Sequence, residues 1–409
     1  MSTTDLGELY RDLHRHPELS LQEFRTAAVV ADRLRATLAR VHVGVGGTGV
    51  VAVFENGPGP VVWLRADMDG LPVREQTGLD YASTRVATDA DGAEVPVMHA
   101  CGHDIHTTCL IGAVERLAER HADWGGTLVA IFQPAEEYGA GAQAMLDDDA
   151  LARMPHPDVV LGQHLVPLPA GTVSVRSGVA MSEADAATIT MHGVGGHGSM
   201  PAATVDPVFM AATTVVRLHG IVSREVDPRD RVVVTVGKLS AGTRNNIIPD
   251  DATIGLTVRT ESPDVRERVR GAVERIVHAE AEASGAPRPP EIAWTVNFPL
   301  TENDAAAAAR VRAAFSARLG AEQVLDAGPL NGSEDVSRFS RAAGSPLVYW
   351  FLGGFDPALF GDAPQLTRTP QGVPTNHSPL FAPIPEPTIE TGVTALVCAA
   401  EAWLGRRSG

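Results

Sequence analysis

Cysteine is scarce in this sequence of 409 residues, which contains only Cys101, Cys109 and Cys398. A small and odd number of cysteines does not suit a disulfide framework and favours a reducing compartment. No stretch approaches the roughly 18 consecutive apolar residues that a membrane-spanning helix requires. The first residues, MSTTDLGELYRDL, lack the basic segment and apolar run of a signal peptide. We therefore expect a cytoplasmic protein.

Positive charge is also limited. Lysine and arginine together number 33 against 50 aspartates and glutamates, which gives a net charge of −17. Lys238 is the only lysine, and the sequence has no cluster of basic residues. Polyanions repel a protein of this charge, so we expect neither nucleic acid nor an anionic membrane as a partner.

Apolar strands alternate with a helix in the amino-terminal half. Strands are predicted at 61–69, 127–137 and 157–165, and segment 106–124 has apolar residues at helical spacing. This alternation is typical of an α/β fold, in which helices cover both faces of a largely parallel sheet. Polar residues cluster at the carboxyl ends of these strands, where open α/β sheets bind ligands.

The length of the chain predicts two domains, because single cores rarely grow beyond about 250–300 residues. Between 183 and 296, strands with partial alternation accompany two helices, as expected for an inserted, smaller α+β domain. The flanking segments 1–182 and 297–409 would then form one discontinuous domain around the mostly parallel sheet.

The segment MHACGHDIHTTCL (98–110) holds several side chains that bind metals. Cys101 and His103 are separated by one glycine, a spacing that can direct both at one point, and thiolate with imidazole suits zinc or a similar ion. No second cysteine pair completes a structural zinc site, so other ligands must come from distant parts of the chain. The alternative is a buried Cys101 with histidines that cap the helix. Cys109 lies on an apolar helical face and is expected in the core.

The segment QPAEEYGAGA places Glu136 and Glu137 side by side at the predicted end of a strand. Adjacent side chains of a strand point in opposite directions, so one carboxylate can face a metal while the other acts as general base on its water. The alternative is an exposed acidic turn.

Two further histidines extend the set of candidate ligands. His164 ends the strand at 157–165, and His377 lies in the proline-bounded loop PTNHSPLF. Either histidine alone is more often structural. One catalytic zinc needs three protein ligands, whereas a two-metal site, with ions roughly 3.5–4 Å apart, accommodates all five candidates: Cys101, His103, Glu137, His164 and His377.

Other polar residues are candidates for supporting and substrate-binding roles. Asp69, at the end of strand 61–69, is expected to orient a ligating histidine, while Asp67 is left open between ligand and support. His197 in the turn GVGGHGSMP is either an active-site residue or a surface histidine. Asn246 and Arg259 lie in the same inserted domain, and an arginine there forms either a structural ion pair or a bidentate contact with a substrate carboxylate.

The segments RADMDGLPV, MHACGHDIHTT, FQPAEE, GQH, GGHGSMP, NIIPD, GSED and NHSPLF occur in the order found in metal-dependent amidohydrolases. The chain resembles this family, which includes hippurate hydrolase, N-acyl-amino-acid and N-acyl-glutamine aminoacylases and auxin-conjugate hydrolases, over about residues 8–385. The resemblance implies a zinc-peptidase-like catalytic domain and an inserted lid that also forms a dimer interface. It implies two divalent ions per subunit, with zinc, manganese, cobalt and nickel as candidates.

The resemblance also implies roles for individual residues. It makes the five candidates above the metal ligands, Glu136 the general base and Asp69 the supporting carboxylate. It gives His197, Asn246 and Arg259 to substrate binding and stabilisation of the transition state, with His197 reaching the site of the partner subunit.

The expected function is hydrolysis of small N-acyl amino acids, with a dipeptidase or carboxypeptidase as the alternative. An inactive homologue should have lost Glu136 or a ligand, and none is lost here. Val336, Arg338 and Met200 depart from residues common in the relatives, and they bear on the preference for acyl group or amino acid.

Overall fold

The computed structural model describes residues 3–361 and 369–406. Contacts along the chain divide it into two units. Unit 1 comprises Met1–Ala180, Thr301–Leu330 and Asp335–Gly409, and unit 2 comprises Met181–Leu300 and Asn331–Glu334. The sequence predicts an insertion at 183–296; unit 2 also contains the short segment Asn331–Glu334.

Within the described residues, the α-helices are α1 (Thr3–Arg15), α2 (Phe24–Arg35), α3 (His103–Glu119), α4 (Gly141–Leu146), α5 (Asp149–Ala152), α6 (Pro207–Leu218), α7 (Gly220–Arg224), α8 (Pro263–Ala283), α9 (Ala305–Leu319), α10 (Ser337–Ala343) and α11 (Pro385–Glu401). None of these described helices has the length and apolarity needed to cross a membrane.

The strands of the same residues are β1 (Arg40–Val45), β2 (Gly49–Asn56), β3 (Val61–Asp67), β4 (Val86–Thr88), β5 (Glu94–Pro96), β6 (Trp124–Gln133), β7 (Val159–Pro169), β8 (Val173–Ser174), β9 (Gly178–Met181), β10 (Glu183–His192), β11 (Gly196–His197), β12 (Val232–Ala241), β13 (Ile247–Ile248), β14 (Asp251–Thr260), β15 (Glu291–Phe298), β16 (Thr301–Asn303), β17 (Val324–Leu325), β18 (Leu347–Phe355) and β19 (Gly405–Arg406).

Unit 1 is built on a mixed sheet with the order β1-β2-β6-β3-β7-β18-β8-β17. Its central strands β6, β3, β7 and β18 run parallel to one another, whereas β1 and β2 pair antiparallel at one side. Central parallel strands are covered on both faces, so they consist of nearly continuous apolar runs. The burial of β3 and β7 along almost their whole length reflects this. The α/β fold class predicted from the sequence is confirmed.

Helix α3 lies in the core of unit 1 and is buried on nearly every side. A helix buried on nearly every side must be surrounded by other elements, and here α1 and α11 are among them. A side chain at Gly112 would meet Leu6 of α1 at 2.7 Å and Val393 of α11 at 2.9 Å. This close packing holds the middle of α3, and the candidate ligands lie at its amino-terminal end.

Unit 2 contains an antiparallel sheet with the order β12-β14-β10-β15. Helices α6 and α8 pack against the sheet around a separate core that includes Ile189, Met210, Ile254 and Val273. Asp206 begins α6 by accepting hydrogen bonds from the amides of Val208 and Phe209, a standard helix cap. The short strands β11 and β13 form an additional ladder.

Candidate active site

Four separate parts of unit 1 supply the candidate metal ligands. Cys101 and His103 lie at the start of α3, and Glu137 follows β6 in a turn. His164 belongs to β7, and His377 lies in the loop before α11. The order of the sheet brings β6 and β7 to either side of β3, so residues that are distant in sequence meet near one end of the parallel strands.

The candidate ligand atoms form two groups that share one member. Cys101, His103 and His164 form the first group, and Cys101, Glu137 and His377 form the second; within each group the ligand atoms lie within 4.8 Å of one another. Cys101 is therefore the residue that would serve both groups if each held an ion. The structure brings all five predicted ligands together.

Unpartnered polar atoms at this position fit metal ions. Within the described part of the chain, His103 Nε2 and Glu137 Oε1 are buried without a hydrogen-bond partner, and they lie 3.9 Å apart. A buried polar atom with no partner is costly, and ligation by a cation would remove that cost. Thiolate, imidazole and carboxylate are also the donors that zinc and similar ions prefer.

The glycine between Cys101 and His103 is required by the packing. Gly102 has a φ of 86°, a left-handed conformation that residues with a Cβ atom rarely adopt. A Cβ atom at this position would also lie 2.6 Å from Leu165 Cδ2. The glycine thus allows the chain to turn between a ligand before the helix and a ligand in its first turn.

Hydrogen bonds fix which ring nitrogen each buried histidine presents. His103 Nδ1 donates to Asp69 Oδ1 at 3.1 Å, and His164 Nδ1 donates to the carbonyl oxygen of Leu165 at 2.8 Å. Both rings therefore present Nε2 to the cluster, the arrangement that supporting groups commonly impose on metal ligands. Asp69 also accepts bonds from Ser20 Oγ at 2.7 Å and from Glu137 N at 3.1 Å.

The electrostatics of the cluster favour positive charge at its centre. Hydrogen bonding to Cys101 and Glu137 raises the pKa of His377 to about 10. Burial by itself would lower the pKa of His103, but Asp67 and Asp69 raise it well above its ordinary value. The surrounding thiol and carboxylates thus stabilise positive charge on the histidines, and the same groups would stabilise metal cations.

Glu136 and Glu137 lie in a turn, because β6 ends at Gln133. The predicted strand at 127–137 is too long, and the argument that the two carboxylates must diverge as neighbours on a strand is wrong. Both reach the cluster: Glu136 Oε2 and Glu137 Oε1 are each 3.9 Å from His103 Nε2. Pro134, which follows β6, cannot donate a ladder hydrogen bond, and this explains the end of the strand.

Asp67 serves a buried network beside the cluster. Its Oδ2 accepts from Arg65 at 2.7 Å, and its Oδ1 pairs with His106 Nδ1. His106 Nε2 in turn accepts from the amide of Leu165, next to the candidate ligand His164. These contacts fit a supporting carboxylate better than a ligand. Burial by itself would raise the pKa of Asp67, but His103, His106 and Arg65 lower it well below its ordinary value.

Sequence reasoning gave no role to His106, to Arg65 or to the Asp335 carboxylate that bonds to Arg65. Only His106 carried a usable signal: it follows His103 by three positions, so on a helix the two side chains share a face.

Unit 2 holds the remaining candidates, and two of them are neighbours. His197 lies in β11 opposite Ile247 of β13, and the amide of the next residue, Gly198, donates to the Asn246 carbonyl oxygen at 2.9 Å. The side chain of His197 is exposed. Its Nδ1 accepts from the amide of Ser199 at 3.1 Å, so in the neutral ring the proton is on Nε2.

Arg259 lies on β14 and contacts the short segment Asn331–Glu334, which also belongs to unit 2. Its NH1 group donates to the Asn331 carbonyl oxygen and to Ser333 Oγ, both at 2.9 Å. Burial lowers the pKa of Arg259, but a guanidinium remains charged in proteins. The contacts hold the guanidinium in one orientation.

Comparison with known proteins identifies close relatives. The family described as Peptidase family M20/M25/M40 matches residues 63–364. "Thermostable carboxypeptidase 1" of Saccharolobus solfataricus is 36% identical over 351 residues, which are 85% of each chain. "N-acetylcysteine deacetylase" of Bacillus subtilis is 36% identical over 375 residues, 90% of this chain and 94% of the relative.

A solved structure agrees with these matches. The Bacillus subtilis YxeP protein, described as a dinuclear metal-binding peptidase of the M20 family, has a TM-score of 0.76 and 30% sequence identity over 98% of both chains. The resemblance to metal-dependent amidohydrolases is confirmed. Because the match covers well over half of the sequence, the protein belongs to peptidase family M20/M25/M40 and is a metal-dependent amide hydrolase.

Proposed function

We propose that this enzyme hydrolyses the amide bond of N-acyl amino acids and releases a carboxylate and a free amino acid. The pair of ligand groups that share Cys101, with the Glu136 carboxylate beside them, carries the proposal. The Bacillus subtilis relative is named for N-acetylcysteine, which supports acylated amino acids as the substrate class.

The five clustered side chains would hold two divalent ions, with zinc, manganese, cobalt and nickel as candidates. When bound, such ions polarise the amide carbonyl and lower the pKa of water to about 7. Glu136 then accepts the proton of the attacking water and delivers it to the leaving amine. General acid–base help of this kind contributes about 10²–10⁴-fold.

His197 is proposed to stabilise the oxyanion that develops during attack. The hydrogen bond from the Ser199 amide to Nδ1 leaves the proton of the neutral ring on Nε2. That N–H group is the donor that an oxyanion requires.

Arg259 and Asn246 are proposed to hold the free carboxylate of the substrate. A guanidinium in a fixed orientation can bind a carboxylate with two parallel hydrogen bonds, which lysine cannot make. Arg259→Lys should therefore lower kcat/KM although it keeps the charge. Similar kinetics for an acyl amino acid and its carboxamide analogue would argue against carboxylate recognition.

A carboxypeptidase or dipeptidase activity is the second candidate, since the Saccharolobus solfataricus relative is named a carboxypeptidase. A screen of N-acetyl, N-benzoyl and long-chain acyl amino acids against dipeptides and longer peptides, with each candidate metal, separates the two. We expect higher kcat/KM for acyl amino acids. Faster cleavage of peptides would select the second candidate, and no amide hydrolysis by the metal-loaded enzyme would reject both.

We also propose a homodimer formed through unit 2. Helix α6 leaves the apolar side chains of Phe209 and Val216 66% and 74% exposed. Strand β12 lies at an edge of its sheet and exposes Leu239. An open strand edge and an apolar helix face are typical of surfaces that another chain covers. The three cysteines are unpaired thiols, which is consistent with the cytoplasmic location predicted from the sequence.

A further inference from the structure

Glu23 is a buried carboxylate that does not cap its own helix. It immediately precedes α2, where a side chain commonly accepts hydrogen bonds from the first helical amides, but it makes no such bond. Glu18 does so instead, accepting from Arg25 N, Thr26 N and Thr26 Oγ1. The start of α2 is thus satisfied without Glu23.

Glu23 bonds to the turn that follows β6 and carries Glu136 and Glu137, here called the catalytic turn. Its Oε1 accepts from Leu21 N at 3.0 Å and from Ala135 N at 2.9 Å, and its Oε2 accepts from Thr48 Oγ1. The side chain is fully buried. Ala135 is 112 positions away in the sequence, and it is the residue directly before Glu136.

Both amides that donate to Glu23 Oε1 belong to residues in an unfavourable conformation. Leu21 has a φ of 65° and Ala135 a φ of 47°, in the left-handed region that side chains with a Cβ atom avoid. Among the described residues, His377 is the only other non-glycine residue with positive φ. Such conformations persist where the surroundings impose them, and the Glu23 carboxylate is one such constraint.

A second buried carboxylate holds the other side of the same turn. Asp69 Oδ2 accepts from Glu137 N at 3.1 Å and is itself held by Ser20 Oγ. The amides immediately before and immediately after Glu136 are thus each bound to a buried carboxylate, so the backbone from which the Glu136 side chain starts is fixed on both sides.

We infer that Glu23 is a positioning residue for Glu136: it holds Ala135 in the left-handed conformation that directs the Glu136 carboxylate into the metal cluster. The inference rests on the proposed function for the role of Glu136. The contribution of Glu23 comes from accepting hydrogen bonds, because Oε1 can accept both amide bonds whether or not Oε2 carries a proton. Glutamine can accept the same two amide bonds through Oε1 and donate through Nε2 to Thr48 Oγ1.

The test separates the length of the side chain at position 23 from its charge. Glu23→Asp keeps the charge but is one methylene too short to reach both amides, whereas Glu23→Gln keeps the reach and loses the charge. At saturating metal we expect kcat to fall about 10- to 100-fold in Glu23→Asp, as for other small misplacements of reacting groups. KM should be unchanged, and Glu23→Gln should retain most of the wild-type kcat.

Glu18→Asp is the matched control, because the side chain of Glu18 also accepts three hydrogen bonds, all of them from residues in the first turn of α2. It should lower the melting temperature and leave kcat unchanged. Ala135→Gly supplies a rescue: glycine adopts positive φ readily, so adding it to Glu23→Asp should recover part of the lost kcat. Equal kcat in Glu23→Asp and wild type, or no recovery with Ala135→Gly, would overturn the inference.

Calorimetric titration of the metal-free protein with zinc gives a readout that does not need turnover. Glu137 lies in the same turn, so Glu23→Asp should still bind two ions but bind one of them more weakly, and Glu18→Asp should bind both normally. A wild-type enzyme without amide hydrolysis would reject the proposed function alone, and this titration would still decide the inference. Identical zinc affinities in Glu23→Asp and Glu18→Asp would contradict the inference that Glu23 positions this turn.

Discussion

Cys101 is distinguished from the other two cysteines by the surroundings of its sulfur. Its Sγ lies 3.5 Å from His164 Nε2, whereas Cys109 donates to a helical carbonyl group and Cys398 packs within α11. We expect Cys101→Ala to lose bound metal and activity together, because one atom serves both ligand groups. Metal analysis after dialysis provides the measurement. Cys398→Ala should keep both properties, and full metal content in Cys101→Ala would refute the assignment.

Glu136 can be separated from the ligands by substitution with its amide. Glu136→Gln keeps the shape of the side chain but removes the proton acceptor, so turnover should fall about 10²–10⁴-fold while two ions remain bound. Turnover and metal content are measured on the same preparation. Loss of metal in this variant would make Glu136 a ligand, and unchanged turnover would remove it from the mechanism.

The candidate ligands and the supporting carboxylate Asp69 could be found in the sequence, whereas the other supporting residues could not. Cys101 and His103 are marked by their close spacing across one glycine, and Glu137 by its neighbour Glu136. The support depends on distant partners: His106 bonds to a residue 39 positions away and Glu23 to one 112 positions away. Local sequence carries no signal for such pairs, because they exist only once the sheet is assembled.

Among the secondary-structure elements, α1 and α3 are joined by a buried ion network. The His14 ring of α1 donates through Nδ1 to Asp104 of α3 at 2.7 Å and through Nε2 to Glu75 at 3.1 Å. Burial by itself would lower the pKa of His14, but these two carboxylates raise it to about 9. The ring is therefore charged at neutral pH and ties the first turn of α3 to the amino-terminal helix.

This network predicts a loss of stability at alkaline pH. Because the folded-state pKa of His14, about 9, exceeds its ordinary value of 6.5, the stabilisation is complete below pH 6.5 and disappears as the pH rises through 9. The shift corresponds to roughly 3 kcal/mol at most. Urea unfolding of metal-free wild type and His14→Gln from pH 6 to 10 measures it, and their free energies of unfolding should converge.

The neighbouring tyrosines do not complicate this measurement. Burial raises the pKa of both Tyr10 and Tyr81, so neither phenol ionises in the same interval. Parallel curves for wild type and His14→Gln would mean that the pKa of His14 is not raised in the folded protein.

Element boundaries were predicted less well than the elements themselves. The apolar run of β6 was visible, but its end at Gln133 was not. The chain bends at the next residues, Pro134 and the left-handed Ala135. This bend is held by hydrogen bonds from Ala135 N to Glu23 and from Glu137 N to Asp69, which are distant in the sequence. The α/β alternation could be predicted because periodicity is local, whereas the catalytic turn depends on tertiary contacts.

For the whole molecule, the proposed dimer and the role of His197 can be tested together. His197→Ala should fold and bind metal but turn over about 10²–10³-fold more slowly, as when one oxyanion donor is removed. If His197 acts in the partner's site, a heterodimer of Glu136→Gln and His197→Ala chains has one site with both defects and one intact site. Its activity should reach up to half of the wild-type value.

Mixing and reassembling the two inactive variants provides the measurement, with light scattering to establish that heterodimers have formed. Each variant reassembled with itself is the control and should keep its low turnover. No recovery in verified heterodimers would show that His197 acts within its own chain or in another role.

The sulfur shared by the two ligand groups also determines how the enzyme can be damaged. Cations held by Cys101 would cover its sulfur, and after their removal no metal would protect that sulfur from an oxidant. Cys109 and Cys398 are protected, since burial raises the pKa of both thiols. Oxidation of Cys101 to a sulfinic acid, which most cells cannot reverse, would take a ligand from both ions in a single event. The time for which this hydrolase stays active would then depend on the fraction of time that it is metal-free while an oxidant is present.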